Sequence, residues 1–352
     1  YKGRPDSMVQ SILKDPEYLD TRKKLKYEKC ANNDKIVVPN MKPFDAINMI
    51  AKHALPDKSE GVGYYFYETV KSFHFRSWES MVSSQGKNPR PIKQTFYYMP
   101  LKYKDDAVGN KIQHDFQSVQ EYRFINNFHD VAANTALGTY GHRVTSYNLY
   151  AKQIIESDYH YHNFFDSTKH TDFEDSYRDA GKTAIAESPV DYDNQKGVSD
   201  YPESRTSLQP TTQYLHNDAA GAIYGTDVFG ESALRGQEVS QLNQVIHGTA
   251  LKLIVKGQSY LEPGDLIEFA LRPVDADKVD VENDYRYAGQ YVITKIRHRI
   301  AEDVYTMVLE CAKDSIANPI APGEPNHVAA KERGDLEDIH NNMAHIAYNR
   351  HS

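Results

Sequence analysis

The feature that most limits how this chain can fold lies in its last third, where apolar side chains return at every second position in four successive runs. Leu251, Leu253 and Val255 alternate with Lys252, Ile254 and Lys256 before Gly257 ends the run. Pro263-Gly264 marks a turn, after which Ile267, Phe269 and Leu271 line one face. A charged loop at 273–286 follows. Val292, Thr294, Ile296, His298 and Ile300 then share a face, and Tyr305, Met307, Leu309 and Cys311 continue it past a turn at Ala301–Asp303. A period of two puts successive side chains on opposite faces of a strand, so each run reads as a strand with one buried face. Four such strands, most of them joined by tight turns, predict a small antiparallel barrel or sandwich.

Upstream the pattern mixes helix and strand. Met8, Val9, Ile12 and Leu13 fall at helical spacing until Pro16 ends the run. Phe44, Ile47, Ile50, Ala51 and Ala54 form a second helical face, with Asn40 as its expected cap and Pro43 tolerable in its first turn. Residues 63–78 read as two strands around a turn near Glu68–Ser72, and Thr95–Tyr103 as an aromatic strand. Val119–Ile155 has strand character broken by a small-residue turn at Ala132–Gly141.

Residues 166–205 hold ten acidic and five basic side chains with few aliphatics. They predict a long surface insertion or a partly disordered loop. A helix is expected at Ala233–His247, and a detached one at 328–348 after Pro319, Pro322 and Pro325. The 352 residues fit roughly two domains. The division that follows is an α+β domain at 1–115, a β-barrel domain built from 116–165 and 249–316, an acidic insertion plus helix at 166–248, and a tail at 317–352. The fold class is α+β and β-rich.

The net charge of −8 disfavours a general polyanion-binding role. Tyrosine outnumbers the other aromatics, 26 against 13 Phe and 1 Trp, and its apolar body with a polar tip suits half-wet subunit contacts. No apolar run reaches the roughly 18 residues that a membrane helix needs, and residues 1–20 lack a basic-then-apolar leader pattern. Cys30 and Cys311 supply neither a disulfide framework nor a four-thiolate zinc site, and are expected as reduced thiols.

Nothing in the sequence requires an enzyme. Gly181-Lys182-Thr183 lacks the earlier glycine of a phosphate loop, because position 176 is Ser. The acidic run Asp275, Asp277, Asp280, Glu282 and Asp284 lacks the glycine and closing Glu of a calcium loop, and reads as a solvated hairpin tip. No nucleophile elbow or dinucleotide fingerprint occurs. No catalytic residue, cofactor or metal is therefore expected.

Two groups remain as candidate protein-interface residues. Lys295, Arg297 and Arg299 share the strand face opposite Ile296, a row of three cations suited to an acidic protein surface or a nucleic-acid-facing wall, with the net negative charge of the chain favouring the protein partner. Tyr159, His160, Tyr161 and His162 form a Tyr/His strand; two imidazoles at this spacing are too few for a metal site.

The segment Leu251-Lys-Leu-Ile-Val-Lys-Gly257, Leu261-Glu-Pro-Gly264-Asp265-Leu-Ile267, Gly289-Gln-Tyr291-Val-Ile-Thr-Lys-Ile296-Arg-His298 and Tyr305–Asp314 resembles the closing half of a tail-tube-type barrel in baseplate central hub proteins of contractile-tailed (T4-like) phages. These are related to the hub part of type VI secretion spike proteins. Lys2-Gly3-Arg4-Pro5, Phe44–Leu55 and the Tyr64–Phe75 strands follow in the order of the same family. The resemblance spans most of the chain except 166–230 and the tail. It implies a connecting domain at 1–115 and a tail-tube-like barrel. It further implies a homotrimeric structural ring that joins the tail tube protein to the spike or needle protein and lines the path of genome ejection.

Wedge or other hub proteins are implied neighbours, genomic DNA passes only in transit, and no stable membrane insertion is expected. The place of action would be the virion baseplate, assembled in the host cytoplasm. Only one tube-like barrel is evident, and Tyr1 falls near where the family's first barrel would end. An N-terminal barrel of roughly 100 residues is therefore expected to be absent or on another polypeptide. A cell-wall-degrading tail enzyme and the hub of a secretion or injection machine are the alternatives.

Overall fold

Two short helices and a three-stranded sheet pack together at the start of the chain. The computed structural model describes residues 1–58, 61, 63–82, 91–98, 115–126, 131–148, 152–161, 163, 168–172, 197–210, 249–271 and 287–315. The first elements are β1 (Lys2–Gly3), α1 (Pro5–Lys14), β2 (Lys24–Tyr27), β3 (Asp34–Lys35), α2 (Pro43–Ala51), β4 (Tyr64–Glu68), β5 (Ser72–Ser77) and α3 (Trp78–Val82). Pro5 opens α1, Asp6 sits in its positive first turn, and Met8, Val9, Ile12 and Leu13 form its buried stripe. That stripe joins Ala46, Ile47 and Ile50 of α2 and Phe73 and Phe75 of β5 in one core. The sheet runs β2-β5-β4, with β2 parallel and β4 antiparallel to β5.

Asn40 is not the cap of α2. The cap position falls on Lys42, which makes no side-chain capping bond, and Pro43 sets the helix start through its fixed backbone angle. The strand expected to reach Trp78 ends at Ser77, whose hydroxyl accepts the Ser80 amide and opens α3.

The later elements are β6 (Gln94–Tyr97), β7 (Val119–Asn126), α4 (Val131–Leu137), β8 (Gly141–Asn148), β9 (Gln153–His160), β10 (Thr206–Pro210), β11 (Thr249–Lys256), β12 (Leu266–Ala270), β13 (Gly289–Ala301) and β14 (Val304–Lys313). Six of them form one sheet in the order β6-β12-β13-β14-β11-β7. All its pairings are antiparallel except β6 with β12. Phe96 of β6 and Val119 of β7, from opposite ends of that order, share one core with Leu253, Phe269, Tyr291, Ile293 and Leu309. A parallel bridge joins Tyr97 to Ser118, and the Tyr97 hydroxyl bonds to Gln117, so the two outer strands touch. The whole is a β-rich α+β fold.

A separate sheet runs β10-β8-β9, with β10 parallel to β8. Its strand β10 comes from within the segment 166–248. The small-residue stretch expected as a turn at Ala132–Gly141 is largely α4, whose alanines favour helix when no packing demand forbids it. Within the acidic stretch, Thr171 and Ser199 are fully buried, so parts of it are anchored rather than solvated. The helices expected at 233–247 and 328–348 lie outside the described residues, as does 99–103 of the aromatic strand. Among the described residues no helix is long and apolar enough to cross a membrane.

Candidate interface surface

The long hairpin β13–β14 carries the three cations, and a single extra residue sets which way they face. The pairing steps from Ile293 opposite Cys311 to Lys295 opposite Glu310, which leaves Thr294 as a β-bulge. The Thr294 hydroxyl donates to the Glu310 carbonyl at 2.9 Å. Before the bulge, Tyr291 and Ile293 enter the main core, while Val292 on the opposite face packs with Trp78, Met81 and Leu266. After it, Ile296 turns to the main core. Val292 and Ile296 therefore do not share a face as the uninterrupted alternation predicts, because one inserted residue inverts every later side chain.

Lys295, Arg297 and Arg299 follow the bulge and are exposed. Lys295 reaches Glu310 at 3.5 Å, an open pair of small energetic weight. Lys252 lies opposite Glu310, and Arg123 opposite Lys252, so the row continues across four strands. This outer face is predominantly basic on a chain of net charge −8.

Among the described residues, no strand pairs with the outer edge of β13 from Lys295 to Ala301. β12 pairs with it only from Gly289 to Val292. The Gly264 amide to the Ile293 carbonyl at 2.7 Å, and the Ile293 amide to the Asp265 carbonyl at 2.9 Å, are the last bonds on that side among the described residues. From Lys295 to Ala301 the described partners of β13 are on β14 alone. Ile300 and Val304, near the hairpin tip, are 75% and 60% exposed.

The inner end of this hairpin is held by a buried polar cluster that sequence reasoning missed. Asp314, just past β14, accepts from the Trp78 indole at 2.9 Å, from the Thr171 amide and hydroxyl at 2.9 Å each, and meets His170 Nδ1 at 3.1 Å. Ser315 bonds the Thr171 hydroxyl and the Asp172 amide, both at 2.9 Å. Asp172 accepts the Gln290 amide at 2.7 Å and faces Lys313 Nζ at 3.9 Å. Residues 168–172 thus strap α3 and the ends of β13 and β14 together.

Burial pushes the Asp314 carboxyl up, but the nearby His170 charge and the bonds from His170, Thr171 and Trp78 outweigh it and bring it down to about 2. Burial wins at Asp172, which is raised to about 7 despite Lys313 and the Gln290 amide. Burial likewise raises Glu79, against the amides of Lys169 and Gly61. Thr168, His170 and Asp314 line up as a hydroxyl–imidazole–carboxylate series, with Thr168 3.2 Å from His170 Nε2. Thr168 and His170 are each only 7% exposed, so this series is structural. The one Trp of the chain, ending a strand run, was the available signal.

The Tyr/His group is placed differently from the cations. Tyr159 and Tyr161 are 5% and 3% exposed, packed inside the chain and withdrawn from a partner's reach. His160 is half-buried, with Nδ1 donating to the Ser199 carbonyl at 2.8 Å. His162 lies outside the described residues. The outer face of this sheet carries a two-pronged Arg143–Asp158 pair at 2.7 and 2.9 Å, whose hydrogen bond holds the Asp158 carboxyl below its ordinary range. On the inner face His142 meets Ser207 at 2.7 Å, and burial and then Arg205 lower its basicity.

In sequence, the chain is 18% identical over 284 residues to gp334 of Vibrio phage KVP40, a probable baseplate hub protein. The chain resembles a phage baseplate hub protein. That match covers 79% of this chain and 58% of the hub relative, so the chain spans less than two thirds of the relative's length. No family model matches. In structure, the tail protein from Neisseria meningitidis MC58 aligns over 89% of this chain and 68% of its own, with a TM-score of 0.42 and 11% identity. The 43 kDa tail protein of prophage MuSo2 from Shewanella oneidensis aligns over 91% and 67%, with a TM-score of 0.41 and 10% identity.

Proposed function

We propose that this chain is a structural, non-enzymatic component of a phage tail baseplate, of the hub type. The observation that carries the reading is the sequence likeness to a baseplate hub protein over 79% of the chain. In its finer form, three copies form a ring that joins the tail tube to the central spike, with wedge or other hub proteins around it. The ring leaves a lumen for the genome, is assembled in the host cytoplasm and ends in the virion.

Several features support the finer form. Contact between the outer strands β6 and β7 at Tyr97 and Ser118 favours a closed barrel over an open sheet, because closure removes two unpaired edges. The division into a connecting domain, a barrel, an insertion and a tail belongs to the same proposal. The basic row Lys295, Arg297 and Arg299 is the surface assigned to a protein neighbour.

Native mass measurement of the purified chain, alone and with the spike protein of the same phage, tests the reading. A trimer that captures spike is expected. A stable monomer that ignores spike would contradict it.

A further inference from the structure

We propose that strand β9 of a second copy of this chain adds antiparallel to the β13 edge at Arg297–Ala301, so that two sheets run on as one across a head-to-tail contact. The proposal rests on the reading that copies of this chain assemble, and it names the two surfaces by which they do so. An exposed strand edge presents a row of backbone donors and acceptors, and a second edge satisfies them by joining the sheet. Among the described residues, β13 pairs from Lys295 to Ala301 with β14 alone, and β9 pairs with β8 alone.

The side chains set the register. On the outer face of the larger sheet, Ala301 lies opposite Val304, Arg299 opposite Thr306 and Arg297 opposite Val308. On the outer face of the smaller sheet, Ile154 lies opposite Tyr147, Glu156 opposite Thr145 and Asp158 opposite Arg143. Setting Ile154 against Ala301 brings Glu156 to Arg299 and Asp158 to Arg297. Tyr147 and Ile154 then run on into Ala301 and Val304 as one apolar row, while two carboxylates meet two guanidiniums. Such pairs directly across a strand pair favour this alignment. Asp158 keeps lone pairs beyond those that Arg143 takes, and Lys295 stays with its own Glu310.

Other alignments lose part of this match. A parallel one can bring Glu156 to Arg297 and Asp158 to Arg299, but it sets Ile154 against Lys295 and leaves the Ala301–Val304 row without an apolar partner. A slip by one residue puts the carboxylates on the face away from the cations.

Exposure decides between a contact within one chain and a contact between two. Ile154 is 66% exposed, Val304 60% and Tyr147 39%. Glu156, Asp158, Arg297 and Arg299 are exposed as well. Within one chain these side chains do not cover one another, so the contact needs a second copy. Because the two edges differ, the contact is heterologous, the kind that closes copies into a ring.

Cysteines placed across the contact test it. Residues directly opposite in an antiparallel pair lie about 4.5–5.5 Å apart between Cα atoms, a separation that a disulfide bridges. Full-length Glu156→Cys and size-tagged Arg299→Cys chains are checked for folding by circular dichroism, mixed and mildly oxidised. Non-reducing gels read the product, and sedimentation velocity of the wild type reads assembly. The mixed disulfide dimer is expected to exceed the dimer from either chain alone by about tenfold or more, because pairing raises the local thiol concentration.

A wild type that assembles while the mixed chains fail to cross-link overturns the strand pairing and leaves the ring reading standing. Preferential cross-linking of Glu156→Cys to Arg297→Cys shows the parallel alignment and overturns this one. Loss of the mixed dimer when spike protein is added assigns the β13 edge to spike and also overturns the pairing. A wild type that is monomeric throughout overturns the ring reading, and this contact with it.

Discussion

The indole of Trp78 donates to the carboxylate of Asp314 at 2.9 Å, across 236 positions of sequence. Trp78 begins the helix that follows the first sheet, and Asp314 lies just beyond the last strand of the six-stranded sheet. Because Thr171 and His170 share the same carboxylate, one buried anion ties three distant segments. Such an anion is tolerable only while its partners remain.

Replacing Asp314 with Ala orphans the Trp78 indole, His170 and the Thr171 amide and hydroxyl in a buried site. The expected loss is about 3–5 kcal/mol of unfolding free energy. Urea titration followed by the emission of Trp78, the one Trp of the chain, measures it directly. Asp314→Asn keeps an acceptor oxygen and is expected to lose less.

The pH dependence has two limbs of opposite sign. Asp314 falls from 3.8 to about 2 in the folded chain, so its stabilisation is complete above about pH 4 and is lost as pH drops through about 2. Asp172 rises from 3.8 to about 7, so its folded state favours the proton. That contribution is full below about pH 4 and is lost as pH climbs through about 7. Thermal melts across this range are expected to fall at both ends. Asp172→Asn, which has no proton to release, is expected to flatten the neutral limb while leaving the acid limb in place.

Gly264 has a backbone φ of +83°, and a Cβ there would lie 2.1 Å from the Tyr67 hydroxyl. Gly264→Ala is thus expected to cost about 1–3 kcal/mol through backbone strain and overpacking. The double variant Gly264→Ala/Tyr67→Phe removes the hydroxyl contact but keeps the ring Cζ at 2.7 Å and the backbone strain. Chemical denaturation of both is expected to show partial recovery in the double variant.

Both cysteines are buried, Cys30 at 0% and Cys311 at 1% exposure. Burial raises the Cys30 thiol to about 12 and pushes Cys311 up as well, so neither supplies reactive thiolate at neutral pH. Thiol titration of the native chain is expected to find no fast-reacting group, and titration in denaturant to find two.

What was legible in the sequence follows from local physics. The period of two around Leu251, Leu253 and Val255 placed β11 because one face is buried throughout, and the stripe Met8, Val9, Ile12 and Leu13 placed α1 for the same reason. The bulge at Thr294 was not legible. Its neighbours Val292 and Ile296 keep an apolar alternation on paper, and only the pairing with Cys311 and Glu310 exposes the extra residue. The Trp78–Asp314 anchor was hidden for a related reason: its members are ordinary residues far apart, brought together by the sheet. Of the candidate interface residues, the cations lie on the surface, whereas Tyr159 and Tyr161 pack inward because a strand with tyrosine on one face buries that face as readily as it offers it.

Copies of this chain are proposed to form the ring of a baseplate hub. Class averages of the purified assembly in negative stain test it most directly. A closed ring with threefold symmetry and an open centre is the predicted result. Isolated single particles, or an assembly without a threefold axis, would contradict it.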